Sequence, residues 1–258
     1  MTGKIVKVIS NDYTVLSGNE LYICKSRGKF RNLNIIPLVG DNVDFDDKNK
    51  YILEIFPRKN FLVRPPVANI DQCVIVASVK EPDFSANLLD KLLTIIEFNN
   101  IKPIICFTKI DKLNDAELVK IKSIMDYYCR IGYEIYDNQN LEKLKLIFKD
   151  KITVFTGQSG AGKSTLLNKL DNKLKLKTDE ISLALNRGKH TTRHVELLHI
   201  YDGYVADTPG FSAISFVGMT NSDIRDNFIE FNNYRDCCEY KDCMHDNEIN
   251  CEIKRKIS

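Results

Sequence analysis

In residues 1–63, apolar and polar positions alternate over a series of short stretches. Alternation of this kind predicts β-strands with one buried face, and the Asn, Asp and Gly clusters between the stretches predict turns. Five strands in a segment of this length favour a closed barrel of the oligonucleotide-binding (OB) type. The candidate strands are Gly3–Ile9, Tyr13–Leu16, Leu21–Cys24, Asn42–Phe45 and Tyr51–Ile55.

A basic loop follows the third of these strands. Lys25, Arg27, Lys29 and Arg31 stand at alternate positions around the aromatic Phe30. Basic side chains can hold phosphates while an aromatic ring stacks on a base, so the loop is a candidate RNA contact. A solvated loop in a lysine-rich chain has the same composition, and the sequence leaves both interpretations open.

The pattern changes after Arg64-Pro65-Pro66, which marks a linker because proline disrupts both helices and sheets. Beyond it, continuous apolar runs alternate with segments of helical spacing. This predicts an α/β domain over residues 64–217, with a parallel sheet covered on both faces. The apolar runs are Cys73–Ser78, Pro103–Phe107, Ile152–Thr156 and Tyr204–Ala206, and the helical segments lie around Leu88–Ile96 and Ala116–Tyr128.

A phosphate-binding loop follows the strand Ile152–Thr156 and opens a helix. It has the two glycines, the lysine and the hydroxyl of the P-loop pattern. The glycines let backbone N–H groups face the phosphates, and the helix N-terminus adds positive potential. We expect Lys163 to bridge the β- and γ-phosphates and Ser164 to ligate Mg²⁺. The candidate nucleotide-binding residues are Gly157, Gln158, Ser159, Gly160, Ala161, Gly162, Lys163, Ser164 and Thr165.

The residues that directly follow the strand Pro103–Phe107 predict which base the nucleotide carries. They are Thr108, Lys109, Ile110 and Asp111. An aspartate there can accept hydrogen bonds from the N1–H and N2–H₂ of guanine, donors that adenine does not offer together. Lys109 can lay its aliphatic stem along the purine ring. Together with the P-loop, these residues indicate GTP rather than ATP.

A third motif, Asp207-Thr208-Pro209-Gly210, follows the strand Tyr204–Ala206. We expect Asp207 to hold Mg²⁺ through water and the Gly210 N–H to meet the γ-phosphate. The next residue is Phe211, where many GTPases place a glutamine that orients the attacking water. We therefore expect slow intrinsic hydrolysis that a partner accelerates.

The polar segment 187–194 is a candidate switch loop between the P-loop and the third motif. One of its threonines can complete the Mg²⁺ shell when GTP is bound, and we favour Thr192 over Thr191. His190 is a candidate catalytic residue, as is His194, and a solvated loop histidine is the alternative for each.

The order of these motifs is circularly permuted. GTPases ordinarily carry the guanine-reading motif last, whereas here Thr108–Asp111 precedes Gly157–Ser164. A sheet can form the same site with its chain ends relocated, because neighbouring strands remain neighbours. Because of the permutation, the segment after Asp207–Gly210 continues directly into the C-terminal region. A unit docked there can therefore respond to the bound nucleotide.

The cysteines fall into two groups. Four of the eight are scattered singly, mostly in apolar runs, and are predicted to be buried small side chains: Cys24, Cys73, Cys106 and Cys129. Three others form a cluster with a histidine, comprising Cys238, Cys243, His245 and Cys251. Three thiols and one imidazole make a closed tetrahedral shell, so we expect a structural Zn²⁺ in a mainly helical domain over residues 218–258. Unliganded cysteines are the alternative, and Cys237 is left as the spare.

Net charge and hydropathy change this interpretation little. A charge of +2 neither requires nor excludes nucleic acid. The sequence has no apolar run near the ~18 residues of a membrane span and no export signal at its start. We therefore expect a cytoplasmic protein without membrane contacts.

Together these residues resemble the ribosome small subunit-dependent GTPase A (RsgA) family of circularly permuted GTPases, over nearly the whole chain. The resemblance rests on residues 64–72, 157–165, 188–192 and 207–212 and on the Cys/His cluster. It implies an OB-fold barrel, a central GTPase domain and a zinc domain. It also implies action late in maturation of the small (30S) subunit, contacts with 16S rRNA, and GTPase stimulation by the subunit. We expect the protein to act as a monomer.

Two features depart from the family pattern. The family's serine-rich guanine-supporting loop appears here as Asp137-Asn138-Gln139, so the sequence assigns no contact there. Family members usually continue into a helical tail beyond the zinc site, whereas this sequence stops at Ser258, so we expect weaker subunit affinity if that tail contributes. The alternative functions are an ATP-using P-loop enzyme and a nucleotide-responsive structural RNA-binding protein with negligible turnover; Phe211 motivates the latter.

Overall fold

A computed structural model describes residues 1–28, 30, 35–63, 65–172, 174, 195–207, 216 and 218–257. Within these ranges the chain forms an N-terminal barrel, a larger α/β unit and a small C-terminal unit. The helices in the described ranges are all too short or too polar to cross a membrane.

The N-terminal unit is a five-stranded barrel, which confirms the OB-type prediction. Its strands are β1 (Thr2–Ile9), β2 (Asp12–Ser17), β3 (Glu20–Ser26), β4 (Asn42–Asp46) and β5 (Tyr51–Ile55). The ring closes because β1 pairs with both β2 and β4, while β3 pairs with β2 and β5, and β5 with β4. Alternate side chains fill the interior, among them Ile5, Val15 and Phe45.

Phe30 lies inside this barrel, which makes one part of the sequence interpretation wrong. The ring is only 4% exposed and packs in the barrel core, so it cannot stack on an RNA base. An apolar ring gains more free energy by burial in the barrel core than by exposure to water. Arg27 of the same loop is exposed, and Lys29 and Arg31 lie outside the described residues.

A short linker ties the barrel to the α/β unit. It contains the strand pair β6 (Phe61–Leu62) and β7 (Val67–Ala68). Arg58 donates from Nε and Nη2 to the two carboxylate oxygens of the fully buried Asp41, both at 2.7 Å. Gly40 has φ +92°, and a Cβ there would lie 2.1 Å from the carbonyl oxygen of Ala68. The approach of barrel and linker therefore requires glycine at this position.

The α/β unit has six strands in the order β10-β9-β8-β11-β13-β12. They are β8 (Gln72–Ser78), β9 (Lys102–Thr108), β10 (Glu134–Asp137), β11 (Ile152–Thr156), β12 (Val195–Ile200) and β13 (Gly203–Asp207). All neighbours pair in parallel except β12, which is antiparallel to β13. The four strands predicted from the apolar runs, β8, β9, β11 and β13, pair in parallel as expected, whereas the antiparallel edge strand β12 was not predicted. A turn of two residues, Tyr201 and Asp202, joins β12 to β13, and so short a connection permits only an antiparallel pair.

Helices cover both faces of this sheet, as the alternation of runs predicts. They are α1 (Ala86–Phe98), α2 (Asp115–Ile131), α3 (Leu141–Lys145) and α4 (Lys163–Leu170). Successive residues of β9 point to opposite faces. Ile105 packs in the cluster that includes Leu92 of α1, whereas Ile104 packs in the cluster that includes Leu166 of α4.

The barrel and the α/β unit share one eleven-stranded sheet. The C-terminal half of β1 pairs antiparallel with β12, with Lys7 opposite Glu196 and Val8 opposite Val195. The side chain of Val6 belongs to the core of the α/β unit, whereas the preceding Ile5 belongs to the barrel core. One strand therefore contributes to two cores.

The C-terminal unit consists of short elements. These are α5 (Asn221–Asp226), single 3₁₀ turns at Ile229–Phe231 and Arg235–Cys237, and α6 (Glu252–Ile257). The segment between Asn221 and Phe231 is divided into α5 and a 3₁₀ turn, because α5 ends with its cap at Asn227. Elements this short bury little apolar surface, which is consistent with stabilisation by a metal.

Three of the four single cysteines are buried as expected, but Cys129 is exposed. It lies on α2, an amphipathic helix whose buried side is formed by Ile121 and Tyr128. The apolar neighbours of Cys129 in the sequence therefore belong to a different face of the helix from the cysteine itself.

Candidate functional site

The P-loop lies at the centre of the sheet. It follows β11, which runs between β8 and β13, and it leads into α4. Gly157 has φ +138°, and a Cβ there would lie 2.3 Å from the carbonyl oxygen of Val76 on β8. A glycine is therefore needed where the loop leaves the sheet. Lys163, the first residue of α4, curls over the loop and donates to the carbonyls of Gly157 at 2.9 Å and Gln158 at 2.8 Å.

The predicted guanine-reading residues lie against this loop. Thr108, at the end of β9, donates from Oγ1 to the carbonyl of Ala161 at 2.7 Å. Lys109 donates from Nζ to the carbonyl of Gly160 at 2.7 Å and also to that of Glu81. Lys109 has a left-handed backbone, with φ 63° and ψ 25°, which turns the chain from the strand into the 3₁₀ turn Ile110–Lys112. Two motifs separated by about 50 residues are thus joined by side-chain contacts.

Asp111 is held by a residue to which the sequence assigned no contact. Asn138 follows β10, and its Nδ2 donates to Asp111 Oδ1 at 3.2 Å. The backbone N–H of Asn138 donates to the carbonyl of Phe107 at 3.0 Å, so the segment after β10 is fixed to the end of β9. The hydrogen bond from Asn138 lowers the pKa of Asp111 below its usual value, so the carboxylate is ionised and acceptor-only.

The amide orientation of Asn138 leaves its Oδ1 buried without a hydrogen-bond partner among the described atoms. A flipped amide would direct its oxygen, an acceptor, at the ionised Asp111. The observed orientation directs a donor at the carboxylate instead, although it leaves Oδ1 without a hydrogen bond. No local sequence signal identifies Asn138, because its role depends on the parallel pairing of β10 with β9.

Replacing Asn138 with alanine is expected to weaken binding of fluorescently labelled GDP roughly 5–20-fold, because Asp111 loses a charge-assisted hydrogen bond. Equilibrium titration measures the effect. Asn140→Ala is the matched control, since Asn140 is exposed and its side chain makes no capping hydrogen bond to α3. Equal affinities for the Asn138→Ala variant and the unaltered chain would show that Asn138 does not position Asp111.

The candidate Mg²⁺ residues converge on the same edge of the sheet. Ser164 is the second residue of α4, and Asp207 is the last residue of β13, the parallel neighbour of β11. Hydroxyl and carboxylate oxygens are the hard ligands that Mg²⁺ prefers, so residues of these two types suit that ion; the side chain of Asp207 itself lies outside the described part of the structure. The other residues predicted here, Thr191, Thr192, His190, His194, Gly210 and Phe211, lie outside the described residues.

The Cys/His cluster forms a compact donor set. Nδ1 of His245 lies 3.6 Å from Cys238 Sγ and 3.3 Å from Cys251 Sγ, and the two sulfurs are 4.0 Å apart. With Cys243, all four ligand atoms lie within 4.8 Å of one another. Tetrahedral Zn²⁺, with bonds of ~2.3 Å to sulfur and ~2.0 Å to nitrogen, places its ligands about 3.5–3.8 Å apart. The residues therefore fit a four-coordinate metal ion.

Neighbouring residues hold these ligands in place. The ring of Phe231 packs edge-on against His245, with centroids 5.4 Å apart. Arg225 of α5 donates to the carbonyl of Cys243 at 3.3 Å. Cys237 is exposed and stands outside the cluster, as its assignment as the spare cysteine predicts.

Comparisons with protein families match both of the larger units. The RsgA GTPase family model matches residues 55–217, and the RsgA N-terminal domain model matches residues 2–52. Together they cover most of the chain.

Relatives and solved structures agree with this match. The chain is 49% identical to "Small ribosomal subunit biogenesis GTPase RsgA 2" of Oceanobacillus iheyensis, over 99% of this chain and 90% of the relative. It is also 49% identical to "Small ribosomal subunit biogenesis GTPase RsgA 1" of Listeria monocytogenes, over 100% of this chain and 90% of the relative.

Two solved structures share the fold. The crystal structure of YloQ, a circularly permuted GTPase, has a TM-score of 0.82 and 38% identity, covering 99% of this chain and 87% of that one. The structure of YjeQ from Thermotoga maritima has a TM-score of 0.85 and 33% identity, covering 99% and 90%. The permuted motif order, the barrel and the Cys/His cluster have the same explanation: the chain belongs to the RsgA GTPase family.

Proposed function

We propose that the chain hydrolyses GTP to GDP and phosphate during late maturation of the small ribosomal subunit. The observation that carries the proposal is the contact of Thr108 and Lys109 with the carbonyls of Ala161 and Gly160, which makes the guanine-reading and phosphate-reading motifs one pocket. The relatives named as small-subunit biogenesis GTPases support the choice of the ribosomal partner.

Each motif has a separate task in this proposal. Asp111 accepts from the guanine base, and Lys163 moves from its loop carbonyls to the β- and γ-phosphates. Ser164, Asp207 and Thr192 would hold Mg²⁺, which would supply positive charge against the phosphates, and the Gly210 N–H would meet the γ-phosphate. His190 is the proposed catalytic residue of the switch loop.

The metal of the C-terminal cluster is proposed to be one structural Zn²⁺. Cys238, Cys243, His245 and Cys251 fill a tetrahedral shell, which leaves no position open for substrate. The metal then stabilises short elements that have a small apolar core of their own.

The barrel is the proposed contact with 16S rRNA, through backbone phosphates rather than base stacking. Lys25, near the end of β3, and Arg27, just after it, are exposed, whereas Phe30 is buried. Basic side chains bind phosphates without reading sequence. We propose that the protein acts as a monomer, in the cytoplasm, where ribosomal subunits are assembled.

Purified small subunits are expected to increase the single-turnover GTPase rate roughly 10²-fold or more, because Phe211 cannot orient water and a partner must complete the site. The Lys163→Ala variant controls for contaminating activity, and large subunits control for nonspecific ribosome effects. A fast rate without subunits would contradict the expected need for a partner. A negligible rate under both conditions would favour a structural RNA-binding protein instead.

A further inference from the structure

The segment that follows β8, residues 79–85, lies against both the P-loop and the guanine-reading residues. Pro82 packs near the P-loop, since a Cβ on Gly160 would lie 3.6 Å from Pro82 Cδ. The backbone carbonyl of Glu81 accepts a hydrogen bond from Lys109 Nζ, which also donates to the carbonyl of Gly160. The ammonium group of the guanine-reading lysine is therefore shared between this segment and the P-loop.

The side chain of Glu81 holds a second lysine beside the same motif. Its carboxylate forms an ion pair with Lys112 Nζ. Lys109 precedes the 3₁₀ turn 110–112 and Lys112 ends it, and the N–H of Lys112 donates to the carbonyl of Lys109 at 3.0 Å. Asp111 lies between these two lysines in the turn. Glu81 therefore contacts the residues on both sides of Asp111, one through its carbonyl and the other through its carboxylate.

Lys80 adds a third contact to this turn. Its Nζ donates to the carbonyl of Lys112 at 3.3 Å and to the two carboxylate oxygens of Glu117 at 3.1 and 3.0 Å. Glu117 in turn belongs to the capping box at the start of α2. Two consecutive residues of the segment thus connect the turn that carries Asp111 to its surroundings.

The segment is itself anchored at both ends. At its start, the N–H of Val79 donates to the carbonyl of Thr108 at 3.2 Å. At its end, the ring of Phe84 packs against that of Phe107, with centroids 5.8 Å apart, and Ser85 is the N-cap of α1. Because both ends are fixed, the contacts of Glu81 can hold the turn in place.

We propose that Glu81 is a positioning residue for base recognition: by holding Lys109 and Lys112, it fixes the turn from which Asp111 faces the guanine base. Glu81 acts through these two lysines and does not itself touch the nucleotide. Removal of its negative charge releases Lys112, so the turn is held less firmly and Asp111 samples more orientations. This inference rests on the proposed role of Asp111 in reading the base.

The test compares the affinities of the full chain for GDP and for inosine diphosphate (IDP), which lacks the 2-amino group of guanine. The side chains of Glu81 and Lys112 are 68% and 47% exposed. Exposed ion pairs contribute little, so Glu81→Gln is expected to lower the affinity for GDP by only about 2–5-fold. The affinity for IDP is expected to fall less, because IDP offers Asp111 one donor group fewer. The preference for GDP over IDP therefore narrows.

Salt dependence gives a second measurement. Salt screens exposed charges, so about 1 M KCl is expected to remove most of the difference in GDP affinity between Glu81→Gln and the unaltered chain. A difference in GDP affinity that persists undiminished at this salt concentration would contradict an effect through the ion pair.

A double replacement tests whether Glu81 acts through Lys112. Lys112→Gln is expected to weaken GDP binding about as much as Glu81→Gln, and the double variant is expected to be no weaker than either, since all three lose the same pair. Glu134→Gln is the matched control. It removes an exposed ion pair between Glu134 and Lys102, the first residues of β10 and β9, whereas Asp111 follows the other end of β9. This control is expected to leave both affinities unchanged.

The outcomes separate the inference from the proposed function. An equal fall in both affinities for Glu81→Gln would indicate a purely structural role and overturn the inference, as would additive effects in the double variant. If the unaltered chain binds GDP and IDP equally, the proposed role of Asp111 fails, and the inference fails with it. If the unaltered chain prefers GDP and Glu81→Gln keeps the whole preference, only the inference fails.

Discussion

Asp111→Asn is expected to lower the affinity for GTP roughly 10²–10⁴-fold and to confer binding of XTP. The variant loses two charge-assisted hydrogen bonds to guanine, each contributing about 1.5–3 kcal/mol, and turns an amide N–H₂ toward the guanine amino group. Xanthine carries an oxygen where guanine carries that amino group, so it accepts from the asparagine. Competition titrations with GTP, XTP and ATP against a labelled nucleotide measure the change.

The matched control for this change is Asp126→Asn. Asp126 is an exposed carboxylate on α2, remote from the P-loop contacts, so its replacement is expected to leave all three affinities unchanged. Retention of GTP binding by Asp111→Asn would mean that another group reads the base. Equal binding of ATP and GTP by the unaltered chain would have the same meaning.

Cys251→Ser is expected to abolish binding of the one structural Zn²⁺ and to unfold the C-terminal unit. Structural zinc sites contribute about 10–16 kcal/mol to small domains at neutral pH, far more than the short elements α5 and α6 can supply without it. Metal analysis is expected to show a loss of zinc, and hydrogen exchange is expected to show a loss of protection over residues 218–257. GDP binding should persist, because every residue proposed to bind the nucleotide precedes residue 211.

Cys237→Ser is the control for thiol chemistry. Cys237 adjoins a ligand in the sequence but is exposed and outside the cluster, so this variant is expected to keep its zinc. If Cys251→Ser retained a full equivalent of zinc, the four-ligand assignment would be contradicted.

The sequence predicts those parts of the structure whose physical cause is local. The P-loop is recognisable because its glycines, lysine and hydroxyl act within one strand–loop–helix unit. The barrel follows from alternation over short strands, and the ligand cluster from the close spacing of its cysteines and histidine. In each case the residues that make the contacts lie near one another along the chain.

The features that the sequence analysis missed depend on distant pairing. Asn138 contacts Asp111 only because β10 lies beside β9, and the polar residues after β10 carry no motif. The strand β12 is not predicted, because the two residues of its turn, Tyr201 and Asp202, do not form one of the Gly-containing dipeptides typical of tight hairpins. The burial of Phe30 could not be foreseen, since an aromatic residue in a basic loop is equally compatible with stacking on a base.

The strand β1 also constrains how the protein folds as it is synthesised. β1 leaves the ribosome long before its partner strand β12, which begins only at Val195. Until β12 is synthesised, the edge of β1 that it later occupies is unpaired, and exposed strand edges invite pairing with other molecules. The barrel can close through β2 and β4 beforehand, and this limits the exposed edge to the last residues of β1.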